Sequence, residues 1–352
     1  MIQQIGRHSV RVRGRCVMDG GMLWMASSLS EIGFRVSGAE ILQIVLQADD
    51  TVSDPERLHL TPRYAVMVDG DTVTDRRMQE KEETVIVFES SVPWGAEIRL
   101  RKLSECPQSL LAVREIRTDG EITPLDETGT RIEFIGDSIT CGYGVEAKSE
   151  LENFTTATEN AGKSYAGLVT DWMGLDAMLT SFSGYGIISG YTGDAEKRNT
   201  SELLPQYYDR VGRNEYLLSS GKRLQEIPWD FSSWQPEKIL IHLGTNDLSW
   251  CAEREPRKEM FRKQYKEFLA TVRKYNPGAM ILCVLGIMGT GLNEKMVQAV
   301  NEYRFENGDT RIHAMTLQEQ DAARYGYGAN FHPSEKTQER LAEKIQAFIQ
   351  NT

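Results

Sequence analysis

The period of the apolar residues changes near residue 130, and that change limits the folds open to this chain more than any other feature. Up to about residue 118 apolar residues recur at every second position, in short runs such as SVRVR, EIGFRV, EILQIVL, YAVMV, TVIVF and EIRLRKL. Alternation of this kind buries one face of a strand and leaves the other wet, so residues 1–118 are predicted to form an antiparallel β-sandwich. From Arg131 onward apolar runs alternate with helical segments: RIEFIG then KSYAGLVTDWMG, DAMLTSFS, KILIHLG then PRKEMFRKQYKEFLATVRKY, AMILCVLG then EKMVQAVNEYRF, TRIHAM, and last EKTQERLAEKIQAFI. Strand alternating with helix is the pattern of crossover units on a parallel sheet, so residues 131–352 read as an α/β domain. Between them TDGEITPLDETGT is polar and holds Gly and Pro, which places a linker at 119–130. The 352 residues suit two domains.

Charge narrows the partners. With 40 Lys and Arg against 51 Asp and Glu the net charge is −11, a surface that repels phosphate backbones and anionic lipid headgroups. Neither nucleic acid nor a membrane is expected as a partner. The Lys- and Arg-rich PRKEMFRKQYKEF reads as the solvated face of an amphipathic helix. Five scattered cysteines (Cys16, Cys106, Cys141, Cys251, Cys283) and no CxxC spacing give neither a disulfide framework nor a zinc site. Reduced thiols, an N-terminus without an apolar h-region and the lack of any run near the ~20 apolar residues of a spanning helix lead us to expect a cytoplasmic protein. The sequons at Asn153 and Asn199 are then chance matches. No HExxH, EF-hand or P-loop pattern occurs, so no catalytic metal and no cofactor is expected.

Ligands of open parallel sheets bind beyond the C-terminal ends of the strands, and three loops there are unusual. Gly136-Asp137-Ser138-Ile139-Thr140 sets a serine at a strand-to-helix turn, where its hydroxyl can enter the crevice and its amide can face an oxyanion. Gly184-Tyr185-Gly186 offers a main-chain N–H without a side chain in the way. Gly244-Thr245-Asn246-Asp247 supplies a side-chain amide donor in Asn246. Asp137 and Asp247 are read as hydrogen-bonding the loops that present Ser138 and Asn246. A serine nucleophile needs a base, and elimination among five histidines is practical. His8 and His59 fall in the sandwich half, while His242 and His313 lie inside strand runs where burial is expected. His332 remains, in Gly328-Ala329-Asn330-Phe331-His332-Pro333-Ser334, a loop before the final helix. Trp250, just after GTND, is either core or a stacking platform for a sugar ring, and we assign it to substrate binding. Gly142-Tyr143-Gly144 scans as part of a dinucleotide fingerprint, but GDS already occupies the turn that motif requires.

GDSIT, GTND and HPSE, in this order, resemble the first, third and fifth blocks of the SGNH (GDSL-type) esterase superfamily, and SGYG resembles the second. The preceding sandwich, the Thr158-Glu159-Asn160 run before Ser164-Tyr165-Ala166, and the ending FHPSE are similar to carbohydrate esterase family 2, in which a jelly-roll domain precedes an SGNH domain and whose members deacetylate hemicellulosic sugars. The resemblance implies a flavodoxin-like five-stranded sheet in the order 2-1-3-4-5. It also implies Ser138 as nucleophile, His332 as general base, and the Ser138 amide, Gly184 and Asn246 as oxyanion donors. Most SGNH enzymes carry an Asp three residues before the His; here that position is Ala329. Family 2 enzymes are similar in often using a Ser-His dyad with the ring oriented by a main-chain carbonyl, and a carboxylate from elsewhere, such as Glu335, stays open as the alternative. The expected activity is removal of O-acetyl groups from manno- or xylo-oligosaccharides, with an acetylated oligosaccharide as partner. The alternatives are a lipase- or thioesterase-like hydrolase of longer acyl esters and a catalytically dead carbohydrate-binding protein.

Overall fold

A strand that changes pairing partners part-way along can serve two layers, and the two longest strands of this chain do so. The computed structural model describes residues 2–4, 9–126 and 128–352, so His8 lies outside the described residues. Its first sheet contains β1 (Ile2–Gln4), β2 (Arg11–Arg13), β3 (Cys16–Asp19), β4 (Met22–Met25), β5 (Glu31–Ala48), β6 (Arg63–Val68), β7 (Asp71–Arg77), β8 (Glu82–Lys102), β9 (Leu111–Thr118) and β10 (Glu121–Pro124). The first part of β5 pairs with β2, β10 and the end of β8, which in turn pairs with β6. The later part of β5 pairs with β9 and the start of β8. Register shifts between Val36 and Gln43 separate the two parts, the irregularity that lets a strand bend from one layer into another. Both layers are antiparallel and share one core, in which Phe34, Ile44, Leu46, Tyr64, Ile98 and Val113 are fully buried.

One expectation needs correction. The stretch 119–130 is not all linker, because Glu121–Pro124 adds to the sheet as β10, pairing antiparallel with Phe34–Ser37. The Asp119 carboxylate accepts from the Glu40 and Ile41 amides, and the Leu125 amide donates to Gly33. EITP holds one large apolar residue and ends in proline, so periodicity has almost nothing to register there.

The second sheet is wholly parallel, in the order β12 (Asp176–Ser181), β11 (Arg131–Gly136), β13 (Lys238–His242), β14 (Met280–Leu285), β15 (Ile312–Thr316). This is the 2-1-3-4-5 arrangement. β11 to β14 are buried nearly throughout, and β13 and β14 read as runs of consecutive apolar residues, as parallel strands covered on both faces do, while the polar Glu133, Thr180 and Ser181 of β11 and β12 are buried with them. The helices are α1 (Ser138–Cys141), α2 (Tyr165–Met173), α3 (Thr245–Cys251), α4 (Glu255–Tyr275), α5 (Asn293–Asn307), α6 (Ala322–Tyr325) and α7 (Glu335–Gln350). Helix α4 buries Phe261, Tyr265, Phe268, Leu269 and Val272 on one side. Its basic side chains are less solvated than expected: Lys263 is exposed, but Arg257, Lys258, Arg262 and Lys266 are half-buried, with Arg262 paired to Glu259 and Lys266 to Glu306. No helix among the described residues is long and apolar enough to cross a membrane.

By compactness the chain forms two units: Met1–Thr128 with Thr155–Ala161 and Arg210–Pro228, and Gly129–Phe154 with Gly162–Asp209 and Trp229–Thr352. Two stretches that the periodicity leaves in the second half therefore cluster with the first. Thr156 donates through its amide to His59 O at 3.0 Å and through its hydroxyl to Thr61 O at 2.7 Å. The Arg63 guanidinium donates to the carbonyls of Ala157 and Glu159, and Asn214 donates to Cys106 O.

Candidate active site

The parallel sheet delivers the three loops to its C-terminal edge. After β11, Asp137 caps the single turn α1, its carboxylate accepting from the Ile139 amide at 3.1 Å. Ser138 is the first residue of that turn. Gly136 is required just before it, because a Cβ there would lie 2.0 Å from Thr140 Oγ1. Gly142 ends the turn at φ 75°, and Gly144 follows at φ 56°, where a Cβ would meet the Ala329 Cβ at 2.4 Å. The two glycines of the would-be fingerprint thus let the chain turn and allow the histidine loop to pack closely.

His332 arrives from that loop with its Nε2 2.8 Å from Ser138 Oγ. Its Nδ1 faces Ala329 O at 3.1 Å and Asn330 O at 3.2 Å. Both of these groups only accept, so the ring proton belongs on Nδ1 and the Nε2 lone pair is turned to the serine hydroxyl. Glu335 is engaged elsewhere, with Lys163 Nζ at 3.1 Å. The carbonyls reach Nδ1 because Asn330 (φ 50°) and Phe331 (φ 63°) are both left-handed. Such a conformation in a bulky residue costs about 1–3 kcal/mol and persists only where its surroundings enforce it. Here the Ala329 amide donates to Gly144 O, the Asn330 amide to Glu150 O, and Gln320 Nε2 to Phe331 O. Burial of the imidazole lowers its pKa from the ordinary 6.5 to about 4, against the opposite pull of the two carbonyls.

After β12, Gly184 stands at φ 85°, a torsion that favours glycine. No acceptor among the described residues takes the N–H of Gly184 or of Ser138. The loop is held from α3: Asp247, fully buried, accepts from the amides of Ile187, Ile188 and Ser189 at 3.0, 2.6 and 3.0 Å. Burial pushes the Asp247 carboxyl up to about 6 while those three amides pull the other way. Asn246 Nδ2 donates to Tyr185 O at 2.8 Å and lies 3.4 Å from Asp137 Oδ2. Ser138 and His332 are in direct contact, and Asn246 reaches toward both the Asp137 turn and the Gly184 loop.

Trp250 does not join them. It is 8% exposed, with the guanidiniums of Arg257 and Arg198 at 4.4 and 5.2 Å from its ring centroid. A ring this deeply buried leaves little surface for a sugar to stack on, which favours the core alternative. His313 also differs, being half-buried on the edge strand β15, whereas His242 is fully buried as expected. Sequence reasoning missed Tyr143, whose ring lies 4.3 Å from that of His332 and stacks at 3.9 Å on Phe154. Its only signal was its place between two glycines next to GDSIT.

Residues 132–345 match the family model for GDSL-like lipases and acylhydrolases, more than half of the chain. The chain belongs to that family. Over 227 residues this GDSL hydrolase is 36% identical to the cellulase/esterase CelE of Acetivibrio thermocellus, covering 63% of the chain but a quarter (25%) of that protein. It is 24% identical over 273 residues to an acetylxylan esterase / glucomannan deacetylase of Cellvibrio japonicus, covering 74% of the chain and 71% of that protein. Among solved structures it resembles a family two carbohydrate esterase from Clostridium thermocellum in complex with cellohexaose, with TM-score 0.81, 26% identity, and coverage of 97% of this chain and 98% of that one. An acetyl xylan esterase of Butyrivibrio proteoclasticus, at TM-score 0.84 and 22% identity over 100% and 98% of the two chains, shares the fold.

Proposed function

We propose that this GDSL hydrolase is a serine carbohydrate acetylesterase that removes O-acetyl groups from manno- or xylo-oligosaccharides derived from hemicellulose. The observation that carries the reading is the 2.8 Å contact between Ser138 Oγ and the unprotonated Nε2 of His332, with Nδ1 backed by carbonyls. The names borne by its relatives, acetylxylan esterase and glucomannan deacetylase, supply the substrate class. Compartment follows the reducing environment expected from the cysteines.

In this mechanism Ser138 Oγ attacks the acetyl carbonyl as its proton passes to His332 Nε2. Negative charge develops on the carbonyl oxygen, for which the unengaged N–H groups of Ser138 and Gly184 and the second N–H of Asn246 are the available donors. His332 returns the proton to the departing sugar oxygen, and then water, deprotonated by the same nitrogen, attacks the serine ester, so that acetate leaves as the proton passes back to Ser138 Oγ. The carbonyls behind Nδ1 hold the ring and its tautomer through both halves.

The test is acetate release from acetylated mannan, xylan and monosaccharides, measured beside acetate, butyrate and octanoate aryl esters. Acetylated sugars should be preferred, with a steep fall beyond acetate, and Ser138→Ala should be inactive but folded. A rate rising toward octanoate would replace this reading with a lipase-like one. Binding of oligosaccharide without turnover would leave a carbohydrate-binding protein.

A further inference from the structure

An imidazole backed only by neutral carbonyls has little to offset the positive charge it takes on with the serine proton. Burial works against that charge as well. The groups facing the His332 ring are the Ser138 hydroxyl, the carbonyls of Ala329 and Asn330, and the face of Tyr143; no charged side chain contributes to its titration. Tyr143 sits with its ring centroid 4.3 Å from the imidazole centroid at a tilt of 35°. Phe154 stacks on Tyr143 at 3.9 Å and 8°, and two rings this close cannot share one face, so the tyrosine is sandwiched between them. Its hydroxyl accepts from Asn330 Nδ2 at 2.9 Å. Asn330 is also the left-handed residue whose own carbonyl lies 3.2 Å from Nδ1.

We infer that Tyr143 is a positioning residue of the dyad, acting in two ways: its π face, braced by Phe154, stabilises the imidazolium of His332, and its hydroxyl holds Asn330 in the conformation that aims a carbonyl at Nδ1. The inference rests on the reading of His332 as general base. The ring's role follows from electrostatics, since an aromatic quadrupole presents negative charge to a cation over its face. The contact is stronger when the imidazole is charged than when it is neutral, so it acts on the reaction barrier more than on ground-state binding.

The two roles are separable by chemistry that preserves shape. Replacing Tyr143 by phenylalanine and then by phenylalanines of increasing fluorination drains the quadrupole while keeping the ring in place. We expect kcat on acetylated substrate to fall with each fluorine, about tenfold over the series, with KM nearly constant. A flat kcat across the series, with Tyr143→Leu impaired, would overturn the electrostatic role and leave packing. For the hydroxyl, Tyr143→Phe and Asn330→Ala should each lower kcat several-fold, and the double variant should fall no further than the worse single one. Full additivity would overturn the Asn330 link. Activity surviving in Ser138→Ala would instead defeat the reading of the dyad, whatever the Tyr143 series gives.

Discussion

The side-chain nitrogen of Asn246 carries two hydrogens and has one close partner, Tyr185 O at 2.8 Å. Its other neighbour, Asp137 Oδ2 at 3.4 Å, is too distant to hold the second hydrogen firmly. An oxyanion would compete for it. Removing the donor in Asn246→Ala should cost about 3 kcal/mol of transition-state stabilisation, a loss of a hundredfold or more in kcat, read by steady-state kinetics. A variant within threefold of the parent would assign that amide to loop structure. His332 makes a second residue-level prediction. Its imidazole must be neutral to accept the serine proton, and its pKa in the folded protein is lowered to about 4. The acid limb of kcat/KM should therefore fall near pH 4 instead of 6.5, with a plateau extending well into mildly acidic buffer. An acid limb at 6.5 would mean that the ring is more hydrated than the structure describes.

Single turns and short loops, more than long helices, carry this site, and they tolerate little. Gly144→Ala adds a methyl 2.4 Å from the Ala329 Cβ at a backbone φ of 56°. The first effect disturbs the histidine loop and the second is strained whatever the space. We expect most of the activity to be lost with modest loss of thermal stability, since only the loop between α6 and α7 has to move; a variant with full activity would show that this contact is not needed. How much of this was legible in the sequence varies element by element. The parallel sheet was, because β13 and β14 carry runs of consecutive apolar residues that no half-exposed strand would carry, and β11 departs from that pattern only at the buried Glu133. Ser138, Asn246 and His332 could be singled out because each sits in a short polar motif after such a run. β10 was not legible, since EITP has no periodicity to read. Asp247 was half legible: its type suggested a loop fastener, but no spacing could tell that it fastens residues 187–189, some sixty positions away, instead of its own turn. The burial of Trp250 was not legible, because an aromatic next to a motif looks the same in sequence whether its ring is open or buried.

Across the whole molecule, the division into units does not follow the sequence order. Residues 155–161 and 210–228 leave the second unit's chain and belong to the first. A fragment beginning at residue 129 would keep those segments but lose their partners, among them His59 O, Thr61 O, Arg63 and Leu103 O. It should be insoluble or unfold at a markedly lower temperature than the full chain, as expression and calorimetry would show; a fragment as stable as its parent would mean the segments are passive. Acid stability is likewise a property of the whole fold. His242 is fully buried, and burial lowers its pKa from 6.5 to about 4. Between those values the unfolded chain takes up a proton that the folded chain refuses, so stability falls as pH drops through the window. Asp247, raised from 3.8 to about 6, works in the opposite sense between those limits. His242→Phe should therefore flatten the decline of Tm between pH 6.5 and 4.5, and an unchanged slope would place the acid sensitivity elsewhere.

The oxygens that orient His332 belong to the main chain. Every amino acid supplies such an oxygen, so no single codon change at 329 or 330 deletes it, and no pH within the protein's range protonates it. A carboxylate in the same place would be exposed to both. The fragility has been moved from the identity of an acid to the shape of a loop, so the substitutions most damaging to the base should be those that alter torsion angles between Gly328 and Phe331, at residues that donate nothing to the reaction.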